Sequence, residues 1–276
     1  MTEVALVDVA VDGRTVILEC EWVAPERTAA PLVVFLHEGL GSRAMWKDYP
    51  RLLCDAGGLR GLVFSREGYG RSTPRRPGER WPVDFMHRQA RVVLPALFAR
   101  LRIGRDGAKP WLFGHSDGAS IALIYSATFP GEVAGVVAVA PHIFVEDVSI
   151  ASIEAAREAY RLTDIKARLA RYHDDPDSAF WGWNDVWLDP RFREWSIEAM
   201  LDRLSCPILA VQGEDDEYGT LAQIERIRRH APQTEVAVLA GCGHSPHRDQ
   251  PDALTRIVVE FILRHSRAPT CQGETR

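Results

Sequence analysis

The chain has 276 residues, 46% of them hydrophobic and 26% charged, with a formal net charge of -5. That composition excludes disordered and collagen-like chains, and the length suits one sizeable domain, or a domain with an insertion, whose core needs no disulfide staples. Net acidity leaves no electrostatic footprint for nucleic acid or an anionic membrane, and no apolar run is long enough to span a bilayer.

The start, MTEVALVDVAVDGRTV, lacks the basic and unbroken apolar regions of a signal peptide. Cys20, Cys54, Cys206, Cys242 and Cys271 are odd in number and widely spaced, with no C-x-x-C or zinc-like grouping. A reduced, cytoplasmic setting is the expectation.

In chain order, VALVDVAV and TVILECEW flank Asp12-Gly13, a dipeptide that favours a tight hairpin, so two antiparallel strands are predicted first. Six short, continuous apolar runs follow: PLVVFLHEG, GLVFS, PWLFGHS, VAGVVAVA, PILAVQGE and TEVAVLAG. Unbroken runs, as opposed to alternating ones, mark strands covered on both faces by helices. Segments of helical spacing lie between them, among them DFMHRQARVVLPALFARLR, where Pro95 should kink or restart the helix, and DGASIALIYSATFP. Strand and helix therefore alternate, which predicts an α/β, mostly parallel sheet with helices on both faces.

From about 142 to 204 the alternation stops and the pattern is helical, an insertion between two strands. Four of the eight tryptophans sit in it: Trp181, Trp183, Trp187 and Trp195. They either anchor the insertion to the core or line an apolar pocket over the sheet, where ligands bind in open α/β folds. The expected substrate-contacting set is Trp181, Trp183, Trp187 and His142. The run Asp174, Asp175, Asp177 fails the calcium-loop pattern and reads as a solvated helix end.

FGHSDGASIALIYS places Ser116 between two glycines, after an apolar strand and before a helix. That context gives the pattern G-x-S-x-G its meaning: a tight turn lifts the hydroxyl clear of the sheet, and the N–H of Asp117, first in the helix, faces the same way. A serine hydroxyl needs a base and a carboxylate to orient that base. AVQGEDDEYGT supplies an acidic loop and VLAGCGHSPHRDQP a loop with His244 and His247, giving the order serine, acid, histidine. SREGYGRS lacks the order of a phosphate-binding loop and reads as a hydrogen-bonded turn.

These segments, with FLHEGLGS, are the landmarks by which the chain resembles the α/β-hydrolase superfamily over nearly its full length. The resemblance implies an eight-stranded sheet, a core of residues 1–141 and 205–266, a helical cap of residues 142–204 inserted after the sixth strand, and a flexible tail of residues 267–276. It further implies Ser116 as nucleophile, His244 as base, and Asp216, three residues after Gly213, as the orienting acid. Asp215 is the near rival for the acid, Glu146 and Asp147 are remoter ones, and His247 is the rival base. A zinc pair of His244 and His247 lacks a third ligand at metal spacing, so neither metal nor cofactor is expected.

The oxyanion hole should combine the N–H groups of Gly39 and Asp117. Glu38 stands where the family usually has glycine, and its carboxylate is expected to turn away and bond the backbone. His37 reads as a structural hydrogen-bonder, and His115, beside the nucleophile on a sharp turn, should face elsewhere. The implied activity is cofactor-free hydrolysis of a carboxylic ester or lactone on a small-molecule substrate. Alternatives are carbon–carbon hydrolysis of a diketone-type ring-cleavage product and a non-catalytic ligand-binding role. A homodimer is compatible with the sequence but not specified by it.

Overall fold

The computed structural model describes residues 4–266; the predicted tail, with Cys271, lies outside them. Eight strands form one sheet: β1 (Val4–Val11), β2 (Arg14–Val23), β3 (Leu32–Leu36), β4 (Arg60–Phe64), β5 (Trp111–His115), β6 (Gly135–Val139), β7 (Ile208–Gly213) and β8 (Thr234–Leu239). Their spatial order is β1-β2-β4-β3-β5-β6-β7-β8. The pairs β1–β2 and β2–β4 are antiparallel and the remaining five parallel. Asp12 and Gly13, both at positive φ, make the opening hairpin turn.

Hydrophobic pattern fixes each strand's place. Every residue of β3, β5 and β6 is buried, and their side chains divide between two cores: Val34, Leu36, Leu112 and Val136 on one face, Val33, Phe35, Phe113 and Val137 on the other. In β1 buried and exposed residues alternate from Val7 onward, as suits the sheet's antiparallel rim. Cys20, Cys54, Cys206 and Cys242 are free and buried. Among the described residues no helix is long and apolar enough to cross a membrane.

Pro95 is absorbed without a break. The helix Phe85–Arg88 passes through a wide turn over Gln89–Val93 before resuming at Leu94–Leu101, and that turn accommodates the hydrogen bond the proline cannot donate. Between β6 and β7 the chain is helical, with Asp147–Leu162, Ile165–Leu169, Pro176–Trp187 and Glu198–Leu201. The expected solvated helix end is there: Asp174 and Asp175 are exposed at the start of the helix Pro176–Trp187, where Asp175 caps it by accepting the Ser178 N–H, and Asp177 accepts hydrogen bonds from Tyr160 and Lys166.

Candidate active site

Four loops at the carboxyl ends of β3, β5, β7 and β8 converge on one cavity of about 200 Å³. The turn after β5 carries Ser116 at φ 54, ψ -121, a conformation costly for a residue with a side chain. Its glycines are steric necessities. A Cβ on Gly114 would lie 2.3 Å from the Gly118 carbonyl oxygen, and one on Gly118 would lie 2.0 Å from that of Leu36.

Ser116 Oγ is 3.0 Å from His244 Nε2, and His244 Nδ1 is 2.9 Å from both carboxylate oxygens of Asp216. Asp216 also accepts from the N–H groups of Tyr218 and Gly219 and from Gln212 Nε2. Burial alone would raise its carboxyl, but the His244 hydrogen bond and charge, with the Tyr218 N–H, hold it below the usual carboxylate range. With the carboxylate ionised, the His244 proton stays on Nδ1 and Nε2 is free to accept from the serine.

The rival candidates lie elsewhere. Asp215 is exposed, Glu146 bonds Thr220 and Gln223, Asp147 pairs with Arg193 at the surface, and His247 packs on Trp46 and Tyr49.

The loop after β3 is fixed from behind. Three donors converge on the Glu38 carbonyl: His37 Nδ1 at 2.7 Å, Arg66 Nη2 at 2.8 Å and the Gly41 N–H at 3.0 Å. Because a trans peptide sets C=O and N–H on opposite sides, anchoring that oxygen aims the Gly39 N–H the other way. Neither that N–H nor the one of Asp117 has an acceptor among the described residues. His37 Nε2 accepts from the Arg66 N–H, so the ring is neutral with its proton on Nδ1, in line with burial and the Arg66 charge pushing it well below the ordinary histidine range. SREGYGRS thus contributes Arg66 as a brace for the loop after β3.

The Asp117 side chain is buried, accepts from Trp187 Nε1 at 3.1 Å and lies 3.9 Å from Arg66 Nη2. Burial pushes its carboxyl up to about 6, against the pull of Arg66 and the Trp187 hydrogen bond. His142, buried beside the Trp187 ring, is pushed down to about 3 by burial and the neighbouring His244. It lines the cavity as a neutral imidazole.

Of the tryptophans expected there, Trp183 and Trp187 line the cavity and Trp181 does not. On the helix Pro176–Trp187, positions 183 and 187 share a face while 181 points away, packing on Tyr160 and Phe180 with Arg161 over its ring. The Trp183 indole nitrogen sits 2.2 Å from where a Gly39 Cβ would be.

The Glu38 carboxylate, expected to bond the backbone, instead faces His115 at 3.5 Å and Arg248 at 3.9 Å. The reason is that its loop packs directly on the β5 turn and the loop after β8, which offer an imidazole and a guanidinium. Tyr218, whose ring is 4.7 Å from that of His244, and Glu217, which accepts the His244 N–H, were not anticipated, although both lie inside the GEDDEY motif. A larger cleft of about 870 Å³ near Trp22, Arg60 and Lys109, by the amino ends of the strands, contains none of these groups.

A hydroxyl, an imidazole and a carboxylate in line, with two N–H groups that have no acceptor among the described residues, form an arrangement suited to acyl transfer. Comparison with known proteins assigns the class: the sequence profile of the alpha/beta hydrolase family matches residues 33–257, and the chain belongs to that family. It is 24% identical to the human serine hydrolase BPHL over 213 residues, covering 73% of this chain and 68% of that protein. It is 25% identical to human monoglyceride lipase over 280 residues, covering 93% and 89%. Among solved structures, an esterase from Thermogutta terrifontis superposes with a TM-score of 0.70 at 19% identity, covering 96% of this chain and all of the other.

Proposed function

We propose that the protein is a cofactor-independent serine hydrolase that cleaves carboxylic esters or lactones through an acyl-enzyme. The observation that carries this reading is the unbroken relay from Ser116 through His244 to Asp216 at the edge of a cavity. His244 takes the Ser116 proton as the oxygen attacks the carbonyl, the N–H groups of Gly39 and Asp117 receive the oxyanion, and His244 returns the proton to the leaving alcohol. Water then repeats the sequence on the ester of Ser116.

Ile153, Leu40, Met45, Trp183 and Trp187 give the cavity apolar walls suited to the hydrocarbon part of an acyl group.

The test is turnover of p-nitrophenyl esters from acetate to palmitate, with fluorophosphonate labelling of wild type and Ser116→Ala. At least one of these esters should turn over, and labelling should vanish in the variant. Turnover of a vinylogous diketone with no ester activity would move the assignment to carbon–carbon hydrolysis. Absence of both turnover and labelling would leave a binding role.

A further inference from the structure

Glu38 poses a conflict. It precedes the proposed oxyanion donor Gly39 and lines the cavity in which negative charge would develop, where a second negative charge opposes reaction. What neutralises it can be read from His115. The His115 Nε2 is 2.7 Å from the His244 carbonyl oxygen, and since a carbonyl only accepts, that nitrogen carries a proton. The other nitrogen, Nδ1, is buried, has no hydrogen-bond partner, and faces Glu38 Oε2 at 3.5 Å. In a neutral ring that nitrogen would direct its lone pair at a carboxylate.

We infer that Glu38 and His115 share one proton beneath the oxyanion hole, forming a carboxylate–imidazolium pair of zero net charge. The pair masks Glu38 from the oxyanion and positions His244 by its backbone carbonyl. Both are positioning residues, acting through the oxyanion loop and the base loop.

The surrounding charged and titratable groups leave this role to His115. Arg248 is 3.9 Å from Glu38, but its side chain is 46% exposed and water screens it. His247, with its ring 4.8 Å from that of His115, is held well below the ordinary histidine range by burial and by His115. His37 and His173 each spend one nitrogen accepting a backbone N–H, which keeps them neutral. Arg66 is committed to the Glu38 carbonyl and lies near Asp117, and His244 to Ser116 and Asp216. Burial would raise the Glu38 carboxyl, but the nearness of His115 keeps it well below the usual carboxylate range, in keeping with an ionised Glu38 in the pair.

The consequence is an alkaline limb. When the pair gives up its proton, a bare carboxylate stands beside the oxyanion and acylation slows at least about tenfold.

The inference rests on the serine-hydrolase reading for its kinetic consequence only, so the deciding measurement is independent of substrate. Nitrogen-15 NMR of the full-length enzyme at pH 7, with the ring assigned by His115→Gln, should show both His115 nitrogens protonated in wild type and only Nε2 protonated in Glu38→Gln. A singly protonated His115 in wild type overturns the proposal, whether or not the enzyme cleaves esters.

For kinetics, the rate of fluorophosphonate reaction in wild type should fall at least about tenfold from neutral pH to pH 9.5, and in Glu38→Gln less than about threefold. His115→Gln, whose amide can still donate to the His244 carbonyl, should lower kcat with little change in KM, and adding Glu38→Gln should restore most of the loss. Additive losses in the double variant would reduce the pair to a structural tie and reject charge masking. Should His115→Gln fail to fold, wild type against Glu38→Gln decides the matter by both measurements.

Discussion

At the scale of single residues, the site is defined by positions that tolerate nothing else. Ser116→Ala and His244→Ala should each lower kcat/KM by at least about a thousandfold, since each removes a member of one concerted relay. Asp216→Asn should cost less than either, and Asp215→Asn should cost little, because only Asp216 touches the imidazole while Asp215 is exposed. A larger loss in Asp215→Asn than in Asp216→Asn would reassign the acid. Gly39 gives a sharper test of the oxyanion loop. A methyl group there would overlap the Trp183 indole, so Gly39→Ala must displace either the indole or the peptide whose N–H serves the oxyanion. We expect kcat to fall by about a hundredfold, the magnitude associated with one lost oxyanion donor. Truncating the obstacle should relieve it: Gly39→Ala/Trp183→Ala should lose less than the product of the two single losses, and strict additivity would show that the two do not meet.

At the scale of elements, the strands were legible because burial on both faces writes an unbroken apolar run, and the nucleophile turn because its glycines answer to backbone collisions at 2.0 and 2.3 Å. The helical character between β6 and β7 was legible as a break in alternation. What the sequence withheld depends on contacts distant along the chain: which helix face Trp181 occupies, where the Glu38 carboxylate goes, and what holds the inserted segment to the sheet. His173 illustrates the last. Its Nδ1 accepts the Gly70 N–H at 2.9 Å and its Nε2 donates to the Leu40 carbonyl at 3.1 Å, so one ring from the inserted segment ties two loops of the core, one of them the oxyanion loop. No local pattern marks such a residue, since its partners are more than 100 positions away. His173→Ala leaves a buried donor and a buried acceptor unpaired, which costs roughly 1–3 kcal/mol each where water cannot reach them. Urea unfolding should show a loss of that order. Activity should fall through kcat more than KM, because the Leu40 peptide adjoins Gly39. An unchanged unfolding midpoint would mean that the ring is not a tie.

At the scale of the whole molecule, these histidines make stability depend on pH with a definite sign. Burial lowers His37, His87, His142, His173 and His247 below the ordinary histidine value, His142 to about 3. In the unfolded chain each titrates near ~6.5. As pH falls below that value the unfolded state takes up protons that the folded state refuses, so stability present above ~6.5 is lost on acidification. Asp117 runs the other way: raised to about 6, it binds its proton in the folded state before the unfolded chain does, which favours the fold between about 6 and the unfolded carboxyl value near ~3.9. The five histidines, joined at lower pH by Asp216, whose carboxyl is held low, leave a net slope toward acid lability that begins at ~6.5. For His142 the window extends from ~6.5 down to about 3, and a single such group contributes ~1.4 kcal/mol per pH unit within it. Between pH 7 and pH 5 the wild-type unfolding free energy should therefore drop, and in His142→Gln the drop should be smaller by roughly 2 kcal/mol, whatever the variant's stability at pH 7. Equal drops in the two proteins would mean that His142 is not held neutral, and that the cavity beside His244 is wetter than its lining of Ile153, Trp183 and Trp187 implies.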